Sequence, residues 1–323
     1  IDLIRNMKSL IIGFGNIGLR HAQGLSKIDE KNIDIYVLEN SKRYVSRFEK
    51  DIGELKKKIN LIFIKDLDKV KNTNFDLTII STYADIRVKS LLKTINTINS
   101  NLILLEKPIC NSIEDLNLLK NIASRKIFVN FPRRYCDWHL KIKNKIQKDY
   151  SHQTLNVLLT QNNLGIACNV SHYVDLMNMW TNCIPVSVNN SNLSNWKNSK
   201  RNGFYELDGK IEVFFQKDHK LELISNDEYN GFKINILDKL NKEICSIDYL
   251  KGFAKFSDGE IITGKYKLQS EMTGKLYKIL IKESQTDICN LDLAVKSYEK
   301  ILRSLIEYWN KKNNSNEKQI MIT

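Results

Sequence analysis

The hydrophobic and polar positions of the chain follow different patterns in its two halves. In the first half, short apolar runs alternate with stretches of helical periodicity. The apolar runs predict strands at residues 8–12, 33–38, 61–64, 76–81, 101–105 and 126–130. Apolar strands separated by crossover helices form parallel sheets that helices cover on both faces. The first half therefore predicts a doubly wound parallel sheet of the Rossmann type, with functional residues beyond the carboxyl ends of its strands.

The second half carries the signals of an antiparallel sheet. Short β-branched and aromatic runs extend from residue 153 to 160 and from residue 185 to about residue 281. Four turn dipeptides separate them, namely Asn202-Gly203, Asp208-Gly209, Asn230-Gly231 and Asp258-Gly259. Such dipeptides favour tight hairpins. We therefore predict an antiparallel meander, one face of which is left free to serve as a subunit interface.

A last amphipathic helix is predicted from about Asp292 to Asn310, packing back on the body of the chain. Its apolar side has five large residues: Leu293, Leu302, Leu305, Ile306 and Trp309. The predicted division is an α/β domain at residues 7–129 and an α+β domain at residues 130–323.

Length and hydropathy limit the class of protein. A chain of 323 residues has room for two domains. It shows neither an apolar run long enough to span a bilayer nor a cleavable signal segment, so we expect a cytoplasmic protein without a membrane partner. Residues 1–6 precede Met7 and are expected to be an upstream extension.

Charge and cysteine spacing exclude two further classes of function. The formal net charge is +13, but the lysines are scattered along the chain instead of forming one basic stripe. We therefore expect acidic small molecules as ligands and no nucleic acid. The six cysteines form no Cys-x-x-Cys pair and have no histidine at zinc-like spacing, which predicts reduced thiols and no metal site.

A glycine-rich turn follows the first strand, with the sequence Gly13-Phe14-Gly15-Asn16-Ile17-Gly18. In such a turn the first glycine permits the tight bend, the second lets backbone approach phosphate oxygens, and the third lets the helix lie close to the strand. The helix N-terminus adds unpaired N–H groups and partial positive charge. The turn therefore predicts a pyrophosphate site.

An acidic residue lies at the spacing from the glycine turn that a ribose-binding carboxylate has in dinucleotide sites. Glu39 ends the second strand, 21 positions after Gly18, and a carboxylate there accepts both ribose hydroxyls of an adenosine. It favours NAD over NADP because it would repel a 2′-phosphate. Ser41, Lys42 and Arg43 leave NADP open, since they could hold that phosphate. The alternative is that Glu39 is only a surface residue.

Two further polar turns follow predicted strands. Ser81-Thr82-Tyr83 follows the fourth strand, and Glu106-Lys107-Pro108 follows the fifth. In the second turn, Lys107 precedes Pro108, whose ring fixes its φ angle. We expect this turn to lie at the opening of the cofactor-binding cleft, beyond the carboxyl ends of the strands, where the ammonium group of Lys107 can donate a hydrogen bond to a substrate hydroxyl. The alternative for Lys107 is a solvent-facing lysine in a turn.

Together these motifs resemble those of the Gfo/Idh/MocA family of nicotinamide-dependent oxidoreductases, named from glucose-fructose oxidoreductase and inositol dehydrogenase. The Asp76–Thr82 strand and the Asn130-Phe131-Pro132-Arg133-Arg134-Tyr135 segment are further points of resemblance, which covers nearly the whole length. The resemblance implies a dinucleotide-binding domain followed by an α+β domain with a large open antiparallel sheet. It also implies an active site between them and a homodimer or homotetramer formed through that sheet.

The segment from Gly165 to Leu176 resembles the Asp-x-Gly-x-His-x-x-Asp motif of the family. His172 and Asp175 share a helix face, and a histidine there can take the proton of an alcohol undergoing oxidation. The alternative for His172 is a structural role. The segment departs from the motif at Cys168, in place of Asp, and at Val170, in place of Gly.

Three further residues bear on the comparison with the family motifs: Asn169 follows Cys168, and Tyr83 and Arg87 follow the fourth predicted strand. Asn169 could supply the polar group that the Asp of the motif provides and Cys168 does not. Tyr83 stands where the family has Pro, and Arg87 where it has His. We expect Arg87 to be a surface helix residue, the alternative being a contact for an anionic group.

The resulting hypothesis is an NAD(P)-dependent dehydrogenase or reductase of a sugar or nucleotide-activated sugar, in surface-polysaccharide or related metabolism. Lys107 and His172 would be catalytic, and the substrate would also contact Arg134, Tyr135, Asn169 and Asp175. The cofactor would contact Gly13, Phe14, Gly15, Asn16, Ile17, Gly18, Glu39, Ser81, Thr82, Glu106 and Lys107. One alternative is an epimerase, lyase or glycosidase that oxidises its substrate transiently; another is a non-catalytic dinucleotide sensor.

Overall fold

The chain divides into two units by its internal contacts. A computed structural model describes residues 6–28, 33–39, 41, 46–122, 126–225, 230–282 and 287–323. The first unit lies within Ile1–Ile109, Ile122–Tyr135 and Lys267–Leu291, and the second within Cys110–Asn121, Cys136–Tyr266 and Asp292–Thr323. The predicted domains meet at a single boundary after residue 129, whereas these units are interleaved along the chain.

The first unit is built on a six-stranded parallel sheet. Its strands are β1 (Met7–Ile12), β2 (Ile33–Leu38), β3 (Asn60–Ile64), β5 (Leu77–Ile80), β7 (Ile103–Leu105) and β8 (Ile127–Val129). A short pair accompanies them, β4 (Asn74–Phe75) and β6 (Asn99–Ser100). The strand order is β3-β2-β1-β5-β7-β8, so the order reverses beside β1. The predicted doubly wound fold class is confirmed, and the reversal point is where such sheets bind ligands.

The helices alternate with the strands as predicted in the first half. The α-helices are α1 (Asn16–Leu25), α2 (Glu49–Lys56), α3 (Ala84–Thr97), α4 (Ile113–Lys120), α5 (Asp137–Asp149), α6 (Ile166–Thr181), α7 (Gln269–Lys282) and α8 (Leu291–Asn313). Local signals set their ends. In α4, for example, Ser112 Oγ accepts a hydrogen bond from Asp115 N at 3.0 Å, which satisfies one unpaired N–H of the first turn.

Helix α7 corrects one expectation, because its residues fall within the segment predicted to be rich in strands. Met272, Leu276 and Leu280 are buried at four-residue spacing, which is the period of a helix. This helix belongs to the first unit and packs against α1. The approach is close: a side chain at Gly274 would place its Cβ 2.9 Å from the carbonyl oxygen of Gly24. The sheet of the second unit therefore ends before α7.

The second unit contains an eight-stranded sheet in the order β10-β13-β14-β9-β15-β16-β17-β18. The strands are β9 (Asn156–Gln161), β10 (Pro185–Asn189), β13 (Gly209–Phe215), β14 (Lys220–Ser225), β15 (Phe232–Leu237), β16 (Glu243–Asp248), β17 (Phe253–Phe256) and β18 (Ile261–Thr263). A separate ribbon joins β11 (Lys197–Asn198) and β12 (Tyr205–Glu206). The sheet is antiparallel except for β9 and β14, which are parallel. It is therefore not a simple meander, because β9 comes first in the sequence but lies between β14 and β15 in the sheet.

The last helix is present as predicted, and two of the four predicted turn dipeptides lie in hairpins: Asn202-Gly203 between β11 and β12, and Asp258-Gly259 between β17 and β18. The other two do not form the predicted hairpins, because Asp208-Gly209 connects β12 to β13, which belong to different sheets, and Asn230-Gly231 precedes β15, which is not a neighbour of β14. Gly203, Gly209 and Gly259 have φ values of +80°, +91° and +90°, the left-handed region that favours glycine. On α8, Leu302, Leu305 and Ile306 are buried, while Leu293 and Trp309 are half-buried. None of the helices in the described residues combines the length and hydropathy that crossing a membrane requires.

Candidate active site

The glycine turn has the geometry that its spacing predicts. Gly13 has a φ of +88°, and its N–H donates to the carbonyl oxygen of Leu38 at 3.0 Å. A side chain at Gly18 would collide with the carbonyl oxygen of Gly13, so the helix can lie this close only with glycine there. A Cβ at Gly15 would meet no heavy atom within 4 Å. The turn is therefore tightly packed at its two ends and open in the middle, where α1 begins.

The carboxylate of Glu39 lies against this turn. Glu39 Oε2 accepts a hydrogen bond from Phe14 N at 2.8 Å, and Oε1 accepts one from Ser41 N at 2.8 Å. These two bonds fix the acid at the carboxyl end of β2, beside the start of α1. Lys42 and Arg43, the cations that leave NADP open, lie outside the described residues.

The turn after β5 also contacts the glycine turn. Ser81 Oγ donates to the carbonyl oxygen of Gly13 at 2.7 Å, and Ser81 N donates to the carbonyl oxygen of Ile12 at 2.9 Å. Three loops from three neighbouring strands thus meet at one edge of the sheet. The sequence indicates Gly13, Glu39 and Ser81 separately, and the structure joins them through hydrogen bonds.

Arg87 corrects the expectation of a surface position. It is 3% exposed, and its guanidinium donates to the carbonyl oxygens of Thr82 and Pro108. Arg87 lies in the first turn of α3, and helical side chains lean toward the N-terminus of their helix. That direction carries the guanidinium toward the two turns beyond β5 and β7. Lys107 lies in the turn beyond β7, where it is half-buried, and its peptide bond to Pro108 is cis.

Glu106 is part of a buried polar network that the sequence does not reveal. Its Oε1 accepts from His21 Nε2 at 2.9 Å and from Asn130 Nδ2 at 2.5 Å. Burial acts to raise the pKa of Glu106, but the hydrogen bonds from His21 and Asn130 and the charge of Arg87 outweigh it, so the pKa lies below its ordinary value. Glu106 is thus held as a carboxylate inside the first unit.

Helix α7 completes that network. His21 Nδ1 lies 3.0 Å from Thr273 Oγ1, and Gln269 Nε2 donates to the same hydroxyl at 2.9 Å. The amide of Gln269 also accepts from Asn130 Nδ2 at 3.0 Å. The signal available in the sequence is His21, three residues after Gly18 on the first helix, but its partner on α7 lies 252 positions away.

The structure places Arg134 and Tyr135 in a buried turn of the first unit. Tyr135 is fully buried, and its hydroxyl donates to Asn130 Oδ1 at 2.5 Å. Arg134 Nη1 donates to the carbonyl oxygen of Asp287 at 2.8 Å. Their contact with a substrate stays a prediction.

The remaining candidates lie on α6, in the second unit. His172 is half-buried and Asp175 is 3% exposed, three positions apart on the helix. Cys168, one turn before His172, donates from Sγ to the carbonyl oxygen of Thr323 at 2.8 Å. Asn169 Nδ2 donates to the carbonyl oxygen of Leu164 at 2.7 Å. Lys107 belongs to the first unit and His172 to the second, and their joint action stays a prediction.

Glu206 is a candidate that the sequence does not suggest. Its Oε1 accepts from Ala167 N at 2.6 Å and from Cys168 N at 3.3 Å, so it satisfies N–H groups in the first turn of α6. The fit depends on Gly165, where a Cβ would lie 2.9 Å from Glu206 Oε2. A carboxylate is therefore present at the head of this helix although Cys168 itself is not an acid.

No protein-family model matches the chain, and no curated protein matches it. Among solved structures it is similar to scyllo-inositol dehydrogenase from Lactobacillus casei with bound NAD(H) and scyllo-inositol. The identity is 15%, the TM-score is 0.69, and the match covers 96% of this chain and 98% of that one. The chain has the fold of this enzyme.

Two other solved structures are similar over comparable lengths. UDP-N-acetylglucosamine 3-dehydrogenase GnnA from Acidithiobacillus ferrooxidans is 14% identical with a TM-score of 0.67, covering 93% of this chain and 96% of that one. Myo-inositol 2-dehydrogenase from Lactobacillus plantarum is 14% identical with a TM-score of 0.66, covering 99% and 100%. The fold that the family resemblance implied is thereby confirmed.

Proposed function

We propose that the chain is an NAD-dependent dehydrogenase of the Gfo/Idh/MocA type, acting on a hydroxyl group of a sugar or polyol. The observation that carries the proposal is the meeting of the glycine turn, Glu39 and Ser81 at one edge of the parallel sheet. The solved structures that share the fold support it, since they are inositol and UDP-sugar dehydrogenases.

The residues at this edge fit a dinucleotide. The open space at Gly15 leaves room for phosphate oxygens beside the first N–H groups of α1. The carboxylate of Glu39 can accept ribose hydroxyls and would repel a 2′-phosphate, which favours NAD over NADP. When bound, the nicotinamide supplies the hydride acceptor or donor.

The proposal assigns the proton chemistry to the chain's own side chains. Lys107 donates a hydrogen bond to the reacting oxygen, and His172 takes the hydroxyl proton as general base. Asp175, on the same face of α6, orients the imidazole. Glu206 supplies a negative charge at the head of α6, which weighs against a non-catalytic sensor inferred from Cys168 alone.

The substrate class and assembly are part of the proposal. A nucleotide-activated sugar, used in surface-polysaccharide metabolism, is the finer form of the hypothesis, and the UDP-sugar dehydrogenase among the similar structures supports it. A dimer or tetramer would use the outer face of the eight-stranded sheet. There Val186 and Phe214 are 47% and 37% exposed on neighbouring strands, and the mass of the protein in solution tests this.

The test is a dehydrogenase assay with a matched lysine pair. The assay monitors NADH formation with scyllo-inositol, myo-inositol and UDP-N-acetylglucosamine as substrates, for the unaltered chain, Lys107→Ala and Lys89→Ala. Lys89 is an exposed residue of α3, so its loss should leave turnover unchanged. Loss of Lys107 should lower kcat about 100-fold or more, the usual contribution of a positioned acid or base, with NAD affinity nearly intact.

Four outcomes decide between the proposal and its alternatives. Full turnover by Lys107→Ala would refute the role of this lysine. Product formation without net NADH would indicate transient oxidation, as in an epimerase, lyase or glycosidase. Tight NAD(H) binding without turnover of any sugar would indicate a sensor, and a chain that binds no dinucleotide would contradict the proposal as a whole.

A further inference from the structure

We propose that Arg87 is a positioning residue for Lys107, holding the Lys107-Pro108 corner against the turn that contains Ser81 and Thr82. This inference rests on the proposed function, in which Lys107 bonds the reacting oxygen. Arg87 itself is not proposed to touch substrate or cofactor.

The first argument is the geometry of the guanidinium. Nη1 donates to the carbonyl oxygen of Pro108, and Nη2 donates to that of Thr82, so one planar group joins two turns that are 26 residues apart in sequence. The donors of arginine are fixed in a fork, and such a pair of bonds restrains both distance and orientation. Lysine has a single nitrogen on a flexible stem, which cannot impose the same restraint.

The second argument is burial. Arg87 is 3% exposed, and a buried charge is costly unless hydrogen bonds and opposite charge compensate it. The two carbonyls supply hydrogen bonds, and the carboxylate of Glu106 lies near enough to be stabilised by the charge of Arg87. Because the Arg87 side chain is buried, its charge does not serve solubility, and its hydrogen bonds to the two turns are the contribution that it can make.

The third argument concerns the other hydrogen bonds that hold the Lys107-Pro108 turn. The backbone leaves the sheet after Glu106 N, which donates to the carbonyl oxygen of Ile80 at 3.0 Å. Pro108 has no N–H to donate, so its carbonyl is the polar backbone group through which the residue can be held. Arg87 bonds that carbonyl, one residue after Lys107.

We call the hydrogen bonds from Arg87 to Thr82 and Pro108 the clamp. The turn that contains Ser81 and Thr82 is also held by hydrogen bonds that do not involve Arg87. Ser81 is bonded to the carbonyl oxygens of Ile12 and Gly13 by its own backbone and hydroxyl groups. Loss of Arg87 should therefore loosen the Lys107 corner while the glycine turn keeps its contact with Ser81. This predicts a split in which catalysis falls and dinucleotide binding persists.

The experiment compares Arg87→Met and Arg87→Lys with the unaltered chain, and Arg303→Met, which changes an exposed arginine of α8, is the control. Hydrogen–deuterium exchange measures the exchange rates of the backbone amides of Lys107 and Ile109, which are compared with those of the amides from Phe14 to Gly18. In both Arg87 variants the first pair should exchange about 10-fold faster or more, as expected from losing charge-assisted hydrogen bonds, while the glycine turn is unchanged. The control should match the unaltered chain.

The kinetic arm uses NADH binding and turnover of the best substrate found. In Arg87→Met, kcat should fall roughly 10- to 100-fold, with the NADH dissociation constant changed less than about threefold. Unchanged exchange at Lys107 and Ile109, equal acceleration of all amides, or full restoration by Arg87→Lys would overturn the clamp. If the unaltered chain shows no dehydrogenase activity, the proposed function fails, and the exchange comparison still decides the role of Arg87.

Discussion

The buried pair of His21 and Glu106 gives a quantitative prediction about stability. In His21→Ala, the carboxylate of Glu106 loses the donor at 2.9 Å and keeps Asn130 at 2.5 Å. Leaving a buried polar group without a hydrogen-bond partner costs roughly 1–3 kcal/mol, and more when the group is charged. Because Glu106 is charged but keeps Asn130, we expect about 3 kcal/mol, which corresponds to roughly 6–12 °C in melting temperature.

The double variant makes this prediction sharper. In His21→Ala, the carboxylate of Glu106 loses its hydrogen bond from His21, and Glu106→Gln removes that charge. The changes in the free energy of unfolding caused by the two substitutions should therefore not be additive. The double variant should be no less stable at pH 7 than His21→Ala alone. A cost equal to the sum of the two single variants would show that His21 and Glu106 act independently.

The pH dependence has a defined sign. The pKa of Glu106 in the folded chain lies below the ordinary value of 4.5, because hydrogen bonds and the charge of Arg87 outweigh burial. A carboxyl with a lowered pKa stabilises the fold above its unfolded pKa, and this contribution is lost as pH falls through the folded pKa. The stability difference between the unaltered chain and His21→Ala should therefore be largest above about pH 4.5 and shrink below it.

The assay is urea unfolding followed by far-ultraviolet circular dichroism between pH 7 and pH 3. All four tryptophans, Trp138, Trp180, Trp196 and Trp309, lie in the second unit, so their emission separately reports the unit that was not altered. A stability difference that does not change with pH would refute the assignment of Glu106 as the buried charge.

Two further predictions concern the other carboxylates. Glu39→Ala should weaken NAD binding about 10- to 100-fold through the loss of a charged acceptor and should lower the preference for NAD over NADP; isothermal titration measures both, and an unchanged preference would contradict the role of Glu39. Glu206→Gln should destabilise the second unit by about 0.5–1 kcal/mol, since the head of α6 loses a negative charge while the amide oxygen can still accept its hydrogen bonds. Tryptophan emission in urea measures this, with the exposed Glu243→Gln as control, and equal midpoints would show that the charge of Glu206 does not stabilise α6.

The parts of the fold that depend on local sequence are predictable. The strands of the first unit, the glycine turn and the position of Glu39 follow from periodicity and from spacing within about 25 residues. The hairpin turns at Gly203 and Gly259 follow from the backbone freedom of glycine, whereas the sequence does not reveal that Asp208-Gly209 and Asn230-Gly231 join strands that do not pair. In each predictable case the residues that determine the structure are neighbours in the sequence.

The parts that depend on distant partners are not. A charged helical residue is usually exposed, and nothing local to Arg87 reveals that two carbonyl oxygens accept its hydrogen bonds. Glu206 caps a helix that begins 40 positions earlier. Helix α7 does carry a local signal, the spacing of Met272, Leu276 and Leu280, but the β-branched and aromatic residues around it favour a strand and obscure that period.

The packing of α7 on α1 has a consequence for the order in which the protein can be made. The first unit begins with the N-terminal strands, yet His21 on α1 has its partner Thr273 near the far end of the chain. At usual synthesis rates, the ribosome needs roughly 10–30 s to pass from the last strand of the parallel sheet to the end of α7. During that interval the face of α1 that carries Gly24 has no helix to cover it. The unit that is synthesised first is therefore completed late, after the sheet of the second unit has been made.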